Sequence, residues 1–373
     1  MFSNFVRRAA ALACLGMAAP AAALADGVSI SGPPAPGYAA IDQAVQAFMR
    51  AQNIHNAEFA MSEHGRIVIS HAYTYGAAPT TTATIFRLAS NSKAWTSAAV
   101  YTLFQRGIIS RSTLAFKYLG ITRPLPVNAP VDSRVFQITV GNLIDHKSGW
   151  DDTKPPHFDP THAMRHIALA LHMNRAIDET TMVRYEMGQK LQEPPGQKYA
   201  YCNVCYVILS MIVAKASHTN YEEYVARNVA APMHVTNLKA SPTLEPRLPG
   251  EVRHYYSPFS GLSAIYVRSS KKVPDPNGGD SLIRFVDLGA GGWATNAESE
   301  LALMDRYLIW GVGPVQPGAD WSREGSDEGT NTFAEQRADN KHWAFLINTR
   351  HYTSKNAFGS FTAGIDKLLN GVP

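Results

Sequence analysis

A serine and a lysine lie three residues apart where a helical pattern begins, in residues 86–93, FRLASNSK. Side chains at positions i and i+3 share one face of a helix, so the Ser90 hydroxyl and the Lys93 amine can meet. A serine hydroxyl needs an adjacent base to act as a nucleophile, and a lysine serves only where burial or positive neighbours lower its pKa. The positive end of the helix favours an alkoxide. The spacing predicts a nucleophile at Ser90 that Lys93 activates.

A second Ser-x-x-Lys match makes this motif weak when it stands alone. Ser269 and Lys272 have the same spacing, but residues 273–279, VPDPNGG, follow them directly. That composition is typical of a loop, which lacks the helix that the chemistry requires. Ser90 is therefore the predicted nucleophile.

A tyrosine and an asparagine form the only Tyr-x-Asn sequence of the chain, at Tyr201 and Asn203. They precede an apolar helical pattern at residues 204–216. A phenol, whose ordinary pKa is about 10, can exchange a proton with Ser90 if cations such as Lys93 stabilise its phenolate. The Asn203 amide offers a donor and an acceptor to a substrate.

Two other groups of residues suggest different chemistry. His162 and His166 have a helical spacing that can hold zinc, with His157 and Asp159 nearby, but no third ligand stands in a defined place. A zinc site is therefore not expected. Cys202 and Cys205 are interpreted as small residues at the start of a buried helix, although export would permit a disulfide.

Apolar periodicity predicts the elements that position these residues. The N-terminal half has a helix at 41–52, two strands within 57–75 around the turn 63–65, and a helix from Ser90 to Phe104 that ends near Gly107. Residues 140–233 are mainly helical, strands return at 330–337 and 342–348, and a helix closes the chain at 361–369. Strands at both ends predict a sheet built from the two termini, covered by helices, with a helical region inserted at about 130–240. A cleft is expected where the two regions meet.

The first 25 residues predict a signal peptide. Arg7 and Arg8 precede an Ala/Leu-rich run and an A-x-A cleavage site that ends at Ala25. The run is broken by Pro20 and too short to span a bilayer, so no stable membrane insertion is expected after cleavage. Cys14 leaves a lipoprotein interpretation open. The predicted location is secreted or periplasmic.

The rest of the chain, residues 26–373, is predicted to be a single domain because no long linker divides it. Without Arg7 and Arg8 the formal net charge falls from +4 to +2, and no basic block suggests nucleic acid or anionic lipid as a partner. The expected partner is a small-molecule or peptide-like substrate, such as an ester, an amide or a peptidoglycan fragment.

Together these motifs resemble the class C β-lactamase, D-Ala-D-Ala carboxypeptidase and esterase family of serine hydrolases. The matching segments are 86–93, 143–150 (LIDHKSGW), 195–203, 221–225 (YEEYV), 231–233 (APM) and 291–295 (GGWAT). The resemblance implies a DD-peptidase/β-lactamase-like α/β fold of the α+β type, with an antiparallel sheet. It also implies that His146 positions other groups, although a role as general base stays open.

The third motif departs from the family, which has Lys-Thr-Gly or His-Ser/Thr-Gly on a strand that lines the cleft. The matching residues here are Arg323, Glu324, Gly325 and Ser326. Arg323 keeps the cation, but Glu324 puts a carboxylate where a hydroxyl would bind the acid group of a penicillin, and like charges repel. Gly325 is retained, so the resemblance still implies an oxyanion hole from the Ser90 and Ser326 N–H groups.

The implied activity is hydrolysis of an ester or amide through a Ser90 acyl-enzyme, with Lys93 and Tyr201 sharing the base role and Asn203 holding the substrate. No metal or organic cofactor is expected. Within the family the alternatives are a short-chain esterase, a D,D-carboxypeptidase or D-amino-acid peptidase, and a true β-lactamase, which Glu324 disfavours. The non-enzymatic alternative is a catalytically silent module that binds a peptidoglycan fragment.

Overall fold

A computed structural model describes residues 27–155, 157–280 and 282–371. The predicted signal peptide lies outside these residues. The described part of the chain has both strands and helices. The strands are β1 Ser29–Ser31, β2 Asn56–Glu63, β3 Arg66–Thr74, β4 Phe86–Arg87, β5 Lys239–Ala240, β6 Ser260–Leu262, β7 Lys272–Pro274, β8 Trp293–Thr295, β9 Trp321–Asp327, β10 Thr330–Gln336 and β11 Lys341–Ile347. The α-helices are α1 Ala39–Gln52, α2 Ser92–Gln105, α3 Ala115–Leu119, α4 Val140–Ile144, α5 Met164–Ala170, α6 Glu179–Met187, α7 Asn203–Ser217, α8 Tyr221–Val225, α9 Ala297–Met304 and α10 Ala357–Asn370.

The main sheet joins the two ends of the chain. Its six antiparallel strands have the order β1-β3-β2-β11-β10-β9, and the central pair β2 and β11 brings Ala57 opposite Ile347. The predicted sheet from both termini is therefore confirmed, together with the hairpin β2-β3 and the strand pair β10-β11. β9 forms an edge of the sheet.

Helices cover both faces of this sheet. On one face α1 and α10 pack against the strands through apolar residues at helical spacing, and the Phe48 and Phe361 rings stack with their centroids 4.3 Å apart. On the other face α9 contacts β2 and β11. Residues of one strand alternate between the two cores, as Phe59 and Ala60 do.

The predicted helical region is confirmed by α4 to α8, and its central helix is α7. Most residues of α7 are buried, and it packs against α2, α4 and α6. A helix that is apolar on nearly all sides belongs in the interior of a protein. Within the described ranges, no helix is long and apolar enough to cross a membrane.

A small three-stranded sheet brings two parts of the site together. Its order is β4-β8-β5, and Arg87 of β4 pairs with Ala294 of β8. The chain leaves β4 and enters the Ser90 turn directly, while the loop before β8 contains Ala290. The pairing therefore holds the Ala290 loop beside the start of α2.

Candidate active site

Ser90 lies in a short 3-10 turn, Ala89–Asn91, that leads into α2. Ala89 has a φ of 47°, a left-handed conformation that costs a residue with a side chain roughly 1–2 kcal/mol. Such backbone strain concentrates at functional sites. β9 packs closely on this turn. The approach is so close that a Cβ atom at position 325 would collide with the Leu88 carbonyl oxygen. A glycine at 325 is therefore a condition for the approach of β9 to the Ser90 turn.

Lys93 lies one turn along, and its side chain is completely buried. Its Nζ atom donates to Ser90 Oγ over 3.0 Å and to the Ala290 carbonyl oxygen over 2.8 Å. The structure therefore brings Ser90 and Lys93 together as the i, i+3 spacing predicts. The Ala290 carbonyl fixes the direction of the amine. No residue pattern predicted this contact, and the available signal was the GGWAT segment that begins at the next residue.

Tyr201 approaches Ser90 from the other side, just before α7. Its hydroxyl oxygen lies 2.8 Å from Ser90 Oγ, and Lys93 Nζ lies 5.0 Å from the centre of its ring. Burial raises the pKa of Tyr201, but the positive charges of Lys93 and Arg323 outweigh this effect and lower it below its ordinary value. The phenolate is therefore easier to form here than in water, as a general base requires.

His146 packs against the ring of Tyr201. The two rings stack with centroids 4.6 Å apart, and His146 Nδ1 accepts a hydrogen bond of 3.0 Å from the backbone N–H of Cys202. Burial, with the charges of Lys93 and Arg323, lowers the pKa of His146 to about 3. A general base works best with a pKa near the operating pH, so this neutral imidazole fits a positioning role.

Arg323 lies on β9 behind the site, and only 2% of it is exposed. Its Nε donates to the Ile309 carbonyl, its Nη1 lies 3.4 Å from the Ser90 carbonyl oxygen, and its guanidinium stacks 3.9 Å from the Trp310 ring centre. The predicted cation is therefore close to Ser90, but it acts on Tyr201 through its charge rather than through an exposed group. No motif pointed to Trp310, which comes from a loop of irregular composition.

Ser326 presents its backbone at the free edge of β9. A two-residue turn joins β9 to β10, and the closing pair is Asp327 with Thr330. In such a hairpin the closing pair exchanges backbone hydrogen bonds. Hydrogen-bonded and non-hydrogen-bonded pairs alternate along an antiparallel ladder, so the N–H of the next residue, Ser326, points away from β10. Ser90 N–H also lies in the first turn of a helical segment, where backbone donors lack partners within the helix.

Glu324 does not share the face of Arg323. Neighbouring residues of a strand point to opposite faces of a sheet, and the Glu324 carboxylate accepts a hydrogen bond of 3.0 Å from Asn331 Nδ2. The side chain is exposed. The Glu324 carboxylate therefore lies on the face of β9 opposite the Arg323 side chain, and its effect on substrates at the β9 edge stays a prediction.

Asn203 begins α7, next to Tyr201, and its Nδ2 donates to Asp159 Oδ2 over 2.5 Å. The histidines considered for zinc do not converge. His157 lies between Asp152 and Glu186, whereas His162 pairs with Asp159 at 3.0 Å. Among the described residues no group of three or more acidic, histidine or cysteine side chains could hold a metal ion.

Cys202 and Cys205 form the disulfide that export would permit, and both are buried at the start of α7, where the sequence places them. Cys202 is the N-cap of α7 and Cys205 lies in its first turn, with their Cα atoms 5.4 Å apart. The bond therefore joins the residue after Tyr201 to the helix that Asn203 begins.

Comparison with known proteins gives the family. The β-lactamase family model matches residues 41–362. Protein flp of Staphylococcus aureus strain N315 is 24% identical over 204 residues, and a putative D-alanyl-D-alanine carboxypeptidase of Escherichia coli O157:H7 is 25% identical over 173 residues. These alignments cover 53% and 46% of this chain but only 37% of either relative.

Solved structures show the same fold. A D-stereospecific amidohydrolase from Streptomyces sp. superposes with a TM-score of 0.60 at 18% identity, over 86% of this chain and 97% of that protein. The predicted DD-peptidase/β-lactamase-like fold is therefore confirmed. Because the family match extends over most of its length, the chain belongs to the β-lactamase family of serine hydrolases.

Proposed function

We propose that this protein is an exported serine hydrolase that cleaves an ester or amide bond through an acyl-enzyme on Ser90. One observation carries the proposal. Ser90 Oγ lies within hydrogen-bonding distance of both Lys93 Nζ, at 3.0 Å, and the Tyr201 hydroxyl, at 2.8 Å. A nucleophile beside two groups that can take its proton is the arrangement that acyl transfer requires. A silent binding module has no need for all three.

In the proposed acylation, Ser90 Oγ attacks the carbonyl carbon while its proton passes to the Lys93 and Tyr201 pair. The negative charge on the carbonyl oxygen is stabilised by the N–H groups of Ser90 and Ser326. The pair then protonates the leaving alcohol or amine as its bond to carbon breaks. A water molecule, deprotonated by Tyr201, hydrolyses the acyl-enzyme and regenerates Ser90.

Export is supported by two features of the chain. Residues 1–25 have the composition of a signal peptide. The Cys202–Cys205 disulfide is also a bond that oxidising compartments preserve and the cytoplasm reduces. We therefore place the mature enzyme outside the cytoplasm, in the periplasm or the medium.

A side-by-side assay tests the proposed reaction. The purified protein is incubated separately with p-nitrophenyl acetate, a D-Ala-D-Ala peptide and a penicillin, and release of p-nitrophenol, D-alanine and opened penicillin is measured. We expect turnover of the activated ester and slower or no opening of penicillin. Absence of turnover with all three compounds would contradict a hydrolase and favour the binding module.

Glu324→Thr is predicted to favour penicillin relative to a neutral ester. The Glu324 carboxylate lies at the exposed edge of the strand that borders Ser90, so it repels an anionic substrate bound there. Two like charges about 4 Å apart in water repel by roughly 1 kcal/mol, or about fivefold in rate. The measurement is the ratio of the second-order acylation constants for penicillin and p-nitrophenyl acetate. An unchanged ratio would show that the Asn331 contact holds the carboxylate away from the substrate.

A further inference from the structure

Two tyrosine side chains face the same side of the segment that precedes α7. Residues 199–202 alternate between exposed and buried positions, as in an extended chain, so the side chains of Tyr199 and Tyr201 project to the same side. Both rings reach solvent, because Tyr199 is 52% exposed and Tyr201 is 37% exposed. The Tyr201 hydroxyl lies 2.8 Å from Ser90 Oγ. Tyr199 therefore borders the approach to Ser90.

The ring of His146 gathers three aromatic side chains at this place. Its centroid lies 4.6 Å from that of Tyr201, 5.7 Å from that of Tyr199 and 6.1 Å from that of Trp310. Tyr199 and Trp310 meet the imidazole edge to face, an arrangement that aromatic rings favour. The backbone N–H of Ala200 donates to the His146 carbonyl oxygen over 2.8 Å. This bond holds the tyrosine segment beside the imidazole.

Arg323 connects Trp310 to Ser90 by a second route. Its guanidinium group stacks 3.9 Å from the centre of the Trp310 ring, and its Nη1 lies 3.4 Å from the Ser90 carbonyl oxygen. Trp310 is half-buried, and its Nε1 donates to the Ser322 carbonyl oxygen over 2.7 Å. Because that nitrogen is the only polar atom of the side chain, the exposed part of Trp310 is an apolar surface.

These rings lie on the side of Ser90 where the leaving group departs. In the proposed reaction the Lys93 and Tyr201 pair returns a proton to the leaving alcohol or amine, so that group must lie against Tyr201. Tyr199 is on the same side of the chain as Tyr201, and Trp310 contacts the same imidazole. A substituent on the leaving alcohol or amine would therefore meet aromatic surface.

We propose that Tyr199 and Trp310 form a subsite for an aromatic ring on the leaving group of the substrate. The preferred substrates would then be esters or amides of alcohols or amines that carry an aryl group. This inference rests on the proposed hydrolase function and adds the class of the leaving group. Removal of apolar area from water supplies the affinity, and edge-to-face or offset contacts favour an aromatic ring over an aliphatic group of similar size.

Two sets of unactivated esters test the subsite. Ethyl acetate, 2-phenylethyl acetate and 2-cyclohexylethyl acetate share the acyl group and release primary alcohols of similar acidity, so their rates report on binding of the remote ring. Ethyl propanoate and ethyl 3-phenylpropanoate carry the same comparison on the acyl side. Hydrolysis is followed at pH 7 by titration of the released acid.

We expect kcat/KM for 2-phenylethyl acetate to exceed that for ethyl acetate by on the order of tenfold, because roughly half of a phenyl ring leaves water. It should exceed that for the cyclohexyl ester by at least about twofold. The phenyl group on the acyl side should give a smaller advantage. A cyclohexyl ester that reacts as fast as the phenyl ester would overturn the aromatic class. A larger advantage on the acyl side would overturn the position of the subsite.

Tyr199→Ala should lower the ratio of 2-phenylethyl acetate to ethyl acetate at least about threefold, because one of the two rings is removed. Tyr199→Phe keeps the ring and should keep the ratio. Phe285→Ala is the matched control. Phe285 is 50% exposed, much like Tyr199, but it lines a groove with Met211 and Ala214 that includes none of the site residues. Its ratio should equal that of the wild type.

Trp310→Leu provides a second reading of the ratio and should also lower it. An unchanged ratio in both Tyr199→Ala and Trp310→Leu, or an equal loss in Phe285→Ala, would overturn the subsite. Ethyl acetate hydrolysis that disappears in Ser90→Ala would still support the proposed hydrolase. Absence of turnover with every ester would contradict the hydrolase itself, so the two failures are distinguishable.

Discussion

Ser90→Ala is expected to abolish turnover of p-nitrophenyl acetate while the protein stays folded. The hydroxyl forms the covalent bond of the proposed acyl-enzyme, and loss of the nucleophile of a serine hydrolase costs on the order of 10⁶ in kcat. Removing one oxygen atom from a half-buried side chain leaves the surrounding core intact. The measurement is the initial rate of p-nitrophenol release, with circular dichroism as the check on folding.

Ser269→Ala is the control for this variant, because Ser269 and Lys272 have the same spacing as Ser90 and Lys93. In the structure Ser269 precedes β7, and its hydroxyl oxygen accepts a hydrogen bond from the backbone N–H of Lys271. The control should keep the wild-type rate. A near-wild-type rate in Ser90→Ala would show that another group carries the reaction.

Lys93→Ala and Tyr201→Phe should each lower the rate by roughly 10²-fold or more, the usual effect of losing a general base. The double variant should fall by less than the product of the single effects, because both groups contact the same oxygen and act as a unit. The measurement is kcat for p-nitrophenyl acetate in the four proteins of a double-mutant cycle.

Lys93 and Tyr201 also interact through the charge of Lys93. Lys93 lowers the pKa of Tyr201, so Lys93→Ala should also make the phenolate harder to form. Strictly multiplicative losses would indicate that one of the two residues lies outside the proton path. Lys215→Ala, which removes an amine bonded to the Leu119 carbonyl away from the site, should leave the rate unchanged.

Local periodicity was sufficient to predict the regular elements. Short runs rich in apolar, aromatic and β-branched residues flank the turns of the β2-β3 and β10-β11 pairs, and α1 and α10 repeat apolar residues at helical spacing, so each signal lies within one segment. β4, β5 and β8 have only two or three residues each. No period is detectable over that length, and the pairings of Arg87 with Ala294 and of Ala240 with Trp293 join segments far apart in the sequence.

The site was predictable to different degrees for similar reasons. The contact between Ser90 and Lys93 follows from helix geometry alone. Tyr201 lies 111 residues from Ser90, and only the resemblance of its motif to a family suggested that they meet. The contact between Asp159 and Asn203 joins a turn to a helix start 44 residues away, and no sequence pattern links the two.

Side-chain direction at two places does not follow from the sequence pattern. Glu324 and Arg323 are neighbours in the motif, but strand alternation sends the two side chains to opposite faces. The Cys202–Cys205 pair was compatible with several interpretations, and only its position at the N-cap and first turn of α7 brings the two sulfur atoms together. Sequence gives the residue types, while the backbone decides where they point.

Covalent labelling identifies the acylated nucleophile, which we propose is Ser90. A fluorophosphonate phosphonylates an activated serine oxygen and releases fluoride, so intact-protein mass spectrometry followed by peptide mapping reports the reacting residue. We expect one adduct per chain, located on Ser90, which forms in Ser269→Ala but not in Ser90→Ala. An unlabelled wild-type protein, or an adduct on a different residue, would contradict it.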